Sequence, residues 1–218
     1  MFDAVLFDMD GLLLDSERVL MRAWVAAAEE EGIAIHPEVY AGVVGRAAAD
    51  SHRLFAEMFR GDVVHARMRR KVESSLARRR GGVVFPLKDG VVELLEALRG
   101  RGVPCAVASS SGVDEIRQRL AAVGVLQHFV AVAGGDEVPR GKPDPAVYAL
   151  AASRLGVPPS ACLAFEDSEN GARAALAAGA SLVVVPDLRR PVEEVMARCL
   201  FELESLREAV GHLPRWFP

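Results

Sequence analysis

Two aspartates stand one residue apart near the amino terminus, in Asp8-Met9-Asp10-Gly11, directly after the apolar run Ala4–Phe7. Side chains two positions apart on an extended chain point to the same side. Asp8 could then act as a nucleophile, Asp10 as an acid and base beside it, and Gly11 would let the chain turn sharply. Taken alone, the same four residues also read as a strand end followed by an ordinary Asp-Gly turn. They do not read as a calcium loop, which needs acids at its first, third and fifth positions and Gly at its sixth. A second acid pair, Glu166-Asp167, follows the apolar run Cys162–Phe165. Alone it is a helix-start pair that suits the positive end of the helix dipole. Beside Asp8 it becomes a Mg²⁺ site, because that ion takes hard oxygen ligands, keeps several waters and is completed by a substrate phosphate. A bound cation would also cancel the repulsion between these carboxylates and a phosphate dianion.

Two further segments supply the opposite chemistry. Ser109-Ser110-Ser111-Gly112 precedes a helical pattern. One serine is expected to cap that helix, and a helix N-terminus with hydroxyls and free N–H groups is also an anion site. Lys142, between Gly141 and Pro143, is either a solvated loop residue or a cation balancing charge on a transferring group.

These residues need a scaffold that delivers them to one place. Strands Pro104–Ala108, Phe129–Val132, Cys162–Phe165 and Leu182–Val185 alternate with helices Asp89–Arg99, Val113–Val123, Ala146–Leu155 and Asn170–Ala178 in the apolar pattern. Such alternation predicts right-handed crossovers and a parallel sheet covered on both faces. Ala4–Phe7, continuously apolar, belongs to that sheet. From Ser16 to about Arg80 the pattern is helical instead. Ser16 is expected to cap a first helix with Leu20, Ala23, Trp24 and Ala27 on one face, ended by Gly32. Val64, Met68, Val72 and Leu76 mark another helix, with Arg78, Arg79, Arg80, Gly81 and Gly82 at its exit. The expected fold class is α/β: a doubly wound parallel sheet with an inserted helical domain. Residues 1–15 and 83–218 form the core, and residues 16–82 form the insertion. In open parallel sheets ligands bind beyond the carboxyl ends of the strands, which is where the acids, serines and lysine fall.

Composition excludes several classes. The net charge is −4, so no basic excess suits a nucleic-acid groove. Apolar runs fall far short of the ~20 residues a membrane helix needs. Asp3, Asp8 and Asp10 stand where a signal peptide would want positive charge. Cys105, Cys162 and Cys199 are odd in number and form no Cys-x-x-Cys motif, and buried thiols are the expectation. The reading is cytoplasmic, with no nucleic acid or membrane as partner and no statement on oligomeric state.

Phe7-Asp8-Met9-Asp10-Gly11, Ala108-Ser109-Ser110, Gly141-Lys142-Pro143-Asp144-Pro145 and Phe165-Glu166-Asp167-Ser168 occur in that order. Together they resemble the four signature motifs of the haloacid dehalogenase-like superfamily. The resemblance extends to Leu14-Asp15-Ser16-Glu17 and Gly171-Ala172, and the insertion resembles the α-helical cap of its subfamily I. This places the chain near the β-phosphoglucomutase-like and sugar-phosphate phosphatase branch. The resemblance implies a core like a Rossmann fold and a Mg²⁺-dependent reaction on a small phosphomonoester, a sugar phosphate or nucleoside monophosphate. In it, Asp8 becomes an aspartyl phosphate, and Asp10 protonates the leaving oxygen and then activates water. Ser109 and Ser110, with Lys142, bind the phosphoryl group. Asp8, the Asp10 backbone carbonyl and Asp167 hold the metal, with Glu166 as ligand or neighbour.

Within that branch, mutases carry a histidine near the start of the first cap helix, and the aligned position here is Leu20. Their cap arginine has only a displaced counterpart, Arg46. Both departures favour phosphatase over mutase. Dehalogenation needs no metal and lacks the second Asp. A phospho-acceptor signalling domain would share the acids, hydroxyl and lysine but has no use for a large helical insertion, whereas an enzyme needs a lid. Arg46, and more weakly Glu17 and Lys88, are the candidate substrate contacts from outside the motifs.

Overall fold

The computed structural model describes residues 1–36, 40, 54, 61–77 and 85–218. Arg46 and the expected helix exit at 78–82 lie outside the described residues.

Six strands form one sheet in the order β3-β2-β1-β4-β5-β6. They are β1 (Ala4–Phe7), β2 (Cys105–Ala108), β3 (Ala131–Ala133), β4 (Cys162–Glu166), β5 (Ser181–Val184) and β6 (Phe201–Glu202). All neighbouring strands pair in parallel. Alternate residues of each strand feed two separate cores. Val5, Phe7, Val107, Leu163, Phe165 and Val183 face α3 (Val91–Gly100), α4 (Val113–Ala122) and α8 (Leu206–Trp216). Ala4, Leu6, Ala106, Cys162, Ala164 and Val184 face α5 (Ala146–Arg154), α6 (Glu169–Ala178) and the short α7 (Glu193–Met196). Burial on both faces explains why the strands read as continuous apolar runs. The second core is rich in alanine, so α5 and α6 lie close against the sheet. Cys105 in the first core and Cys162 in the second are buried free thiols. Strand order reverses at β1, so the crevice of a doubly wound sheet falls where β1 and β4 end side by side.

Helices α1 (Ser16–Glu29) and α2 (Asp62–Ala77) form a third cluster, built on Trp24, Ala28, Ile35, Met68 and Val72, while Val19 of α1 joins the first core. The chain leaves the core and returns to it along paired linkers. The Asp15 N–H donates to the Pro86 carbonyl, the Lys88 N–H to Leu13, and Leu14 bridges Leu87. Among the described residues no helix is long and apolar enough to cross a membrane.

Three local expectations are corrected. Ser16 is the first residue of α1 and not its cap; Asp15 holds the cap position because its backbone is still tied to Pro86. The third strand begins at Ala131, not Phe129. Phe129 is apolar because its ring packs edge-on against Phe7, 6.0 Å between centroids, from the preceding connection. No serine caps α4. Gly112 is its N-cap, and the Val113 N–H donates to Asp136 Oδ1 at 3.1 Å, which frees the serines to face the rim.

The segment after residue 186 carried no sequence expectation, yet α8 closes the first core. Trp216 meets the Phe165 ring edge-on at 6.0 Å, and Phe165 in turn stacks on Phe7 at 5.2 Å. These two rings immediately precede Glu166 and Asp8 and form the floor beneath them. Truncating a buried Trp costs about 3–5 kcal/mol. Trp216→Ala is expected to lose that much in urea unfolding; a loss below about 1 kcal/mol would show that α8 is not part of the core.

Candidate active site

The site lies at the carboxyl ends of β1, β2 and β4. Its centre is Lys142, brought in by the loop before α5 and almost fully buried. Lys142 Nζ donates to Asp8 Oδ1 and to Glu166 Oε1, each at 2.6 Å. Tyr148, one turn into α5, donates its hydroxyl to the same Glu166 oxygen at 2.7 Å, and its ring lies 4.9 Å from the ammonium. The other Glu166 oxygen accepts from the Asp167 and Ser168 N–H groups, both at 3.1 Å, and from Ser168 Oγ at 3.0 Å. Glu166 is the last residue of β4 and is inaccessible to solvent. Burying a carboxylate without such partners would be costly. Gly171 makes room for it, since a Cβ there would overlap the Glu166 carboxylate. Ser168 caps α6 by accepting from the Gly171 N–H.

Oxygen atoms of Asp8, Glu166 and Asp167 lie within 4.8 Å of one another, all buried. Glu166 has committed both oxygens to donors, whereas Asp167 Oδ1 is buried with no hydrogen-bond partner among the described residues. Gly11, at φ +89°, leaves the space that the Asp167 carboxylate fills. The cluster therefore combines excess negative charge with an unpaired hard oxygen, the donor set a divalent cation takes.

Electrostatics agree. Burial pushes the Asp8 carboxyl up to about 7, with the Glu166 charge adding to it and Lys142 opposing. Burial also holds Asp167 well above the carboxylate range, reinforced by Glu166 and Asp8. For Lys142 burial works against the charge, but Asp8 and Glu166 outweigh it and keep the ammonium protonated.

Asp10 makes its own hydrogen bonds outside this cluster. Its Oδ2 accepts from Ser111 Oγ at 3.1 Å, and its Oδ1 from Arg119 Nη1 at 2.6 Å. Ser109 is buried and its Oγ accepts the Ser111 N–H at 3.1 Å. Ser110 is exposed. Glu17, in the first turn of α1, faces the same acid-rich mouth. Burial lifts it to about 8, with Asp10, Asp187 and Asp8 contributing. Lys88 and Arg18 both pair with Asp187, whose side chain is buried. Lys88 is thus engaged in joining the return linker to the loop after β5. Tyr148, Arg119 and Asp187 were not singled out from sequence. Tyr148 reads there as an ordinary core aromatic and Arg119 as a surface residue of an amphipathic helix; the pairing of each with a motif acid is visible only in three dimensions.

The family model described as haloacid dehalogenase-like hydrolase matches residues 2–179. The chain belongs to that family. It is 32% identical over 181 residues to the phosphorylated carbohydrates phosphatase of Thermotoga maritima, covering 81% of this chain and 82% of the relative. It is 33% identical over 180 residues to hexitol phosphatase A of Escherichia coli K12, covering 83% and 81%. Among solved structures, a HAD family hydrolase from Deinococcus radiodurans R1 with bound phosphate and sodium superposes with a TM-score of 0.81, at 28% identity, over 99% of this chain and 96% of that one.

The raised acids set a pH dependence. The ordinary values are 3.8 for Asp8 and 4.5 for Glu17, against about 7 and about 8 in the fold. Between these limits the folded state holds more protons than the unfolded one, so stability falls as pH rises. Thermal melts in EDTA are expected to give a higher Tm at pH 5 than at pH 8, and a divalent cation should narrow the gap. A Tm that rises from pH 5 to pH 8 in EDTA would contradict the charge balance described.

Proposed function

We propose that this phosphoric monoester hydrolase removes the phosphoryl group of a small phosphorylated carbohydrate through an aspartyl phosphate on Asp8. The observation that carries the reading is the buried ammonium of Lys142 shared between Asp8 and Glu166, 2.6 Å from each. It fixes the attacking carboxylate and supplies positive charge where a phosphoryl group would sit. In the first step an Asp8 oxygen bonds to phosphorus and the bond to the substrate's ester oxygen breaks. Asp10 gives that oxygen a proton. In the second step Asp10 takes a proton from water, the water oxygen bonds to phosphorus, and Asp8 is released. Positioning and charge neutralisation do most of the work in such transfers. Ser109, Ser110 and Lys142 are assigned to the phosphoryl oxygens. Mg²⁺ would be held by Asp8, the Asp10 backbone carbonyl and Asp167, where it would neutralise charge on the phosphoryl group; the five donors on Glu166 suit it to anchoring Lys142.

The substrate class rests on the relatives, whose names point to phosphorylated carbohydrates and hexitol phosphates. Residues 16–82 are assigned to a cap over the site, bearing Glu17 and Arg46. The buried thiols of Cys105 and Cys162 and the net charge of −4 suit a cytoplasmic enzyme acting on small molecules. Leu20, in place of the mutase histidine, favours water over a sugar hydroxyl as the second acceptor.

The test is a panel of hexose, hexitol and pentose phosphates followed by phosphorus NMR. Net phosphate release that requires Mg²⁺ and stops in EDTA is expected, with no interconversion of β-glucose 1-phosphate and glucose 6-phosphate. Full activity in excess EDTA would remove the metal. Accumulation of the other isomer faster than phosphate would replace hydrolysis with mutase chemistry.

A further inference from the structure

Arg119 lies outside the four signature segments, yet its guanidinium ends on Asp10. Nη1 donates to Oδ1 at 2.6 Å, while Ser111 Oγ donates to Oδ2 at 3.1 Å. A carboxylate bonded through one oxygen can still rotate about its last torsion. Bonded through both, to donors on two different elements, it has one orientation. Ser111 comes from the loop after β2 and Arg119 from the second turn of α4.

Arg119 is itself fixed. Its other terminal nitrogen pairs with Glu115, one turn earlier on α4. The guanidinium also lies over the Phe85 ring, 4.8 Å from its centroid, a stacking geometry that suits a planar cation. Phe85 is buried in the first core, where the chain re-enters it. The contacts form a chain from core to Phe85 to Arg119 to Asp10. An arginine present only to decorate the helix surface would not be expected to stack on a core ring and leave its side chain 17% exposed.

We propose that Arg119 is the positioning residue of Asp10, setting the orientation from which that carboxyl group passes protons to and from the reacting oxygens. The inference rests on the acid–base role proposed above for Asp10. Arg119 touches no reacting atom, so everything it contributes must pass through Asp10. A purely structural role, through the Glu115 pair and the Phe85 ring, would act independently of Asp10.

A double-mutant cycle separates the two. Wild type, Asp10→Ala, Arg119→Ala and the double variant are compared with Mg²⁺ on a hexose phosphate, and on p-nitrophenyl phosphate, whose leaving group needs little protonation. Asp10→Ala is expected to slow the hexose phosphate by about 10²–10⁴-fold, the usual worth of general acid–base help. Arg119→Ala should lower kcat on it by about 10–100-fold with KM within about threefold, since a misplacement near 1 Å costs on the order of 10² in rate. The single-turnover release of p-nitrophenol should fall less. Arg119→Lys should recover part of the loss, because an ammonium can still reach Oδ1 but cannot hold Glu115 and Phe85 in the same way. In the Asp10→Ala background, Arg119→Ala should change the rate by less than about twofold.

Full additivity, or a loss confined to KM, would overturn the positioning role while leaving the acid–base role intact. An Asp10→Ala variant that turns over the hexose phosphate at the wild-type rate would overturn both. If Arg119→Ala does not fold, Arg119→Gln and Arg119→Lys carry the same cycle with the same readings.

Discussion

The structure turns on one buried ammonium among three buried carboxylates. Lys142 neutralises one charge of the set Asp8, Glu166 and Asp167, and it is bound directly to the first two. Burial, and after it the uncompensated remainder of that charge, holds Asp8 and Asp167 above the carboxylate range. Burying charge without a partner is expensive. A pocket that maintains this imbalance is suited to accept positive charge from a cation. With a cation bound, its sign reverses toward an incoming phosphate. The rest of the fold can be understood as what is needed to hold these four side chains together from three separate stretches of chain.

The parallel sheet meets that need. Asp8 follows β1, and Glu166 ends β4. The register pairs Phe7 with Phe165, so the two acids emerge side by side above a floor of stacked rings. The small residues of the second core bring α5 and α6 close to the sheet. That closeness places the Tyr148 hydroxyl on Glu166 and requires Gly171 beneath it. The paired linkers at Leu13–Asp15 and Pro86–Lys88 let the chain leave for a helical excursion and return without disturbing the strand ends.

Most of the sheet and the site's centre were legible in the sequence, because both rest on local signals. Strands buried on both faces read as apolar runs, and the acids, serines and lysine fall at their ends. Helix α2 was visible in the four-residue spacing of Val64, Met68, Val72 and Leu76. The failures share a cause. Phe129 looked like strand because an apolar ring in a connection has the same signature as one in a ladder. The serines looked like caps because Asp136, the group that caps α4, is distant in sequence. The carboxyl-terminal helix carries a proline at 214 and few consecutive apolar residues, so its stripe of Leu206, Ala209, Leu213 and Trp216 gave no expectation. Arg119, Tyr148 and Asp187 owe their roles to partners 18 to 169 residues away in the chain, beyond the reach of any local pattern.

The central claim is that Asp8 carries the phosphoryl group. An acyl phosphate is reduced by borohydride to an alcohol, so a phosphorylated aspartate becomes homoserine. The enzyme would be quenched during turnover of a hexose phosphate with Mg²⁺, reduced, digested and sequenced by mass spectrometry. Homoserine at position 8, present only when substrate was present, is the predicted result. The corresponding alcohol at another aspartate or glutamate, or an unmodified Asp8 from enzyme quenched in a single turnover with product forming, would contradict it.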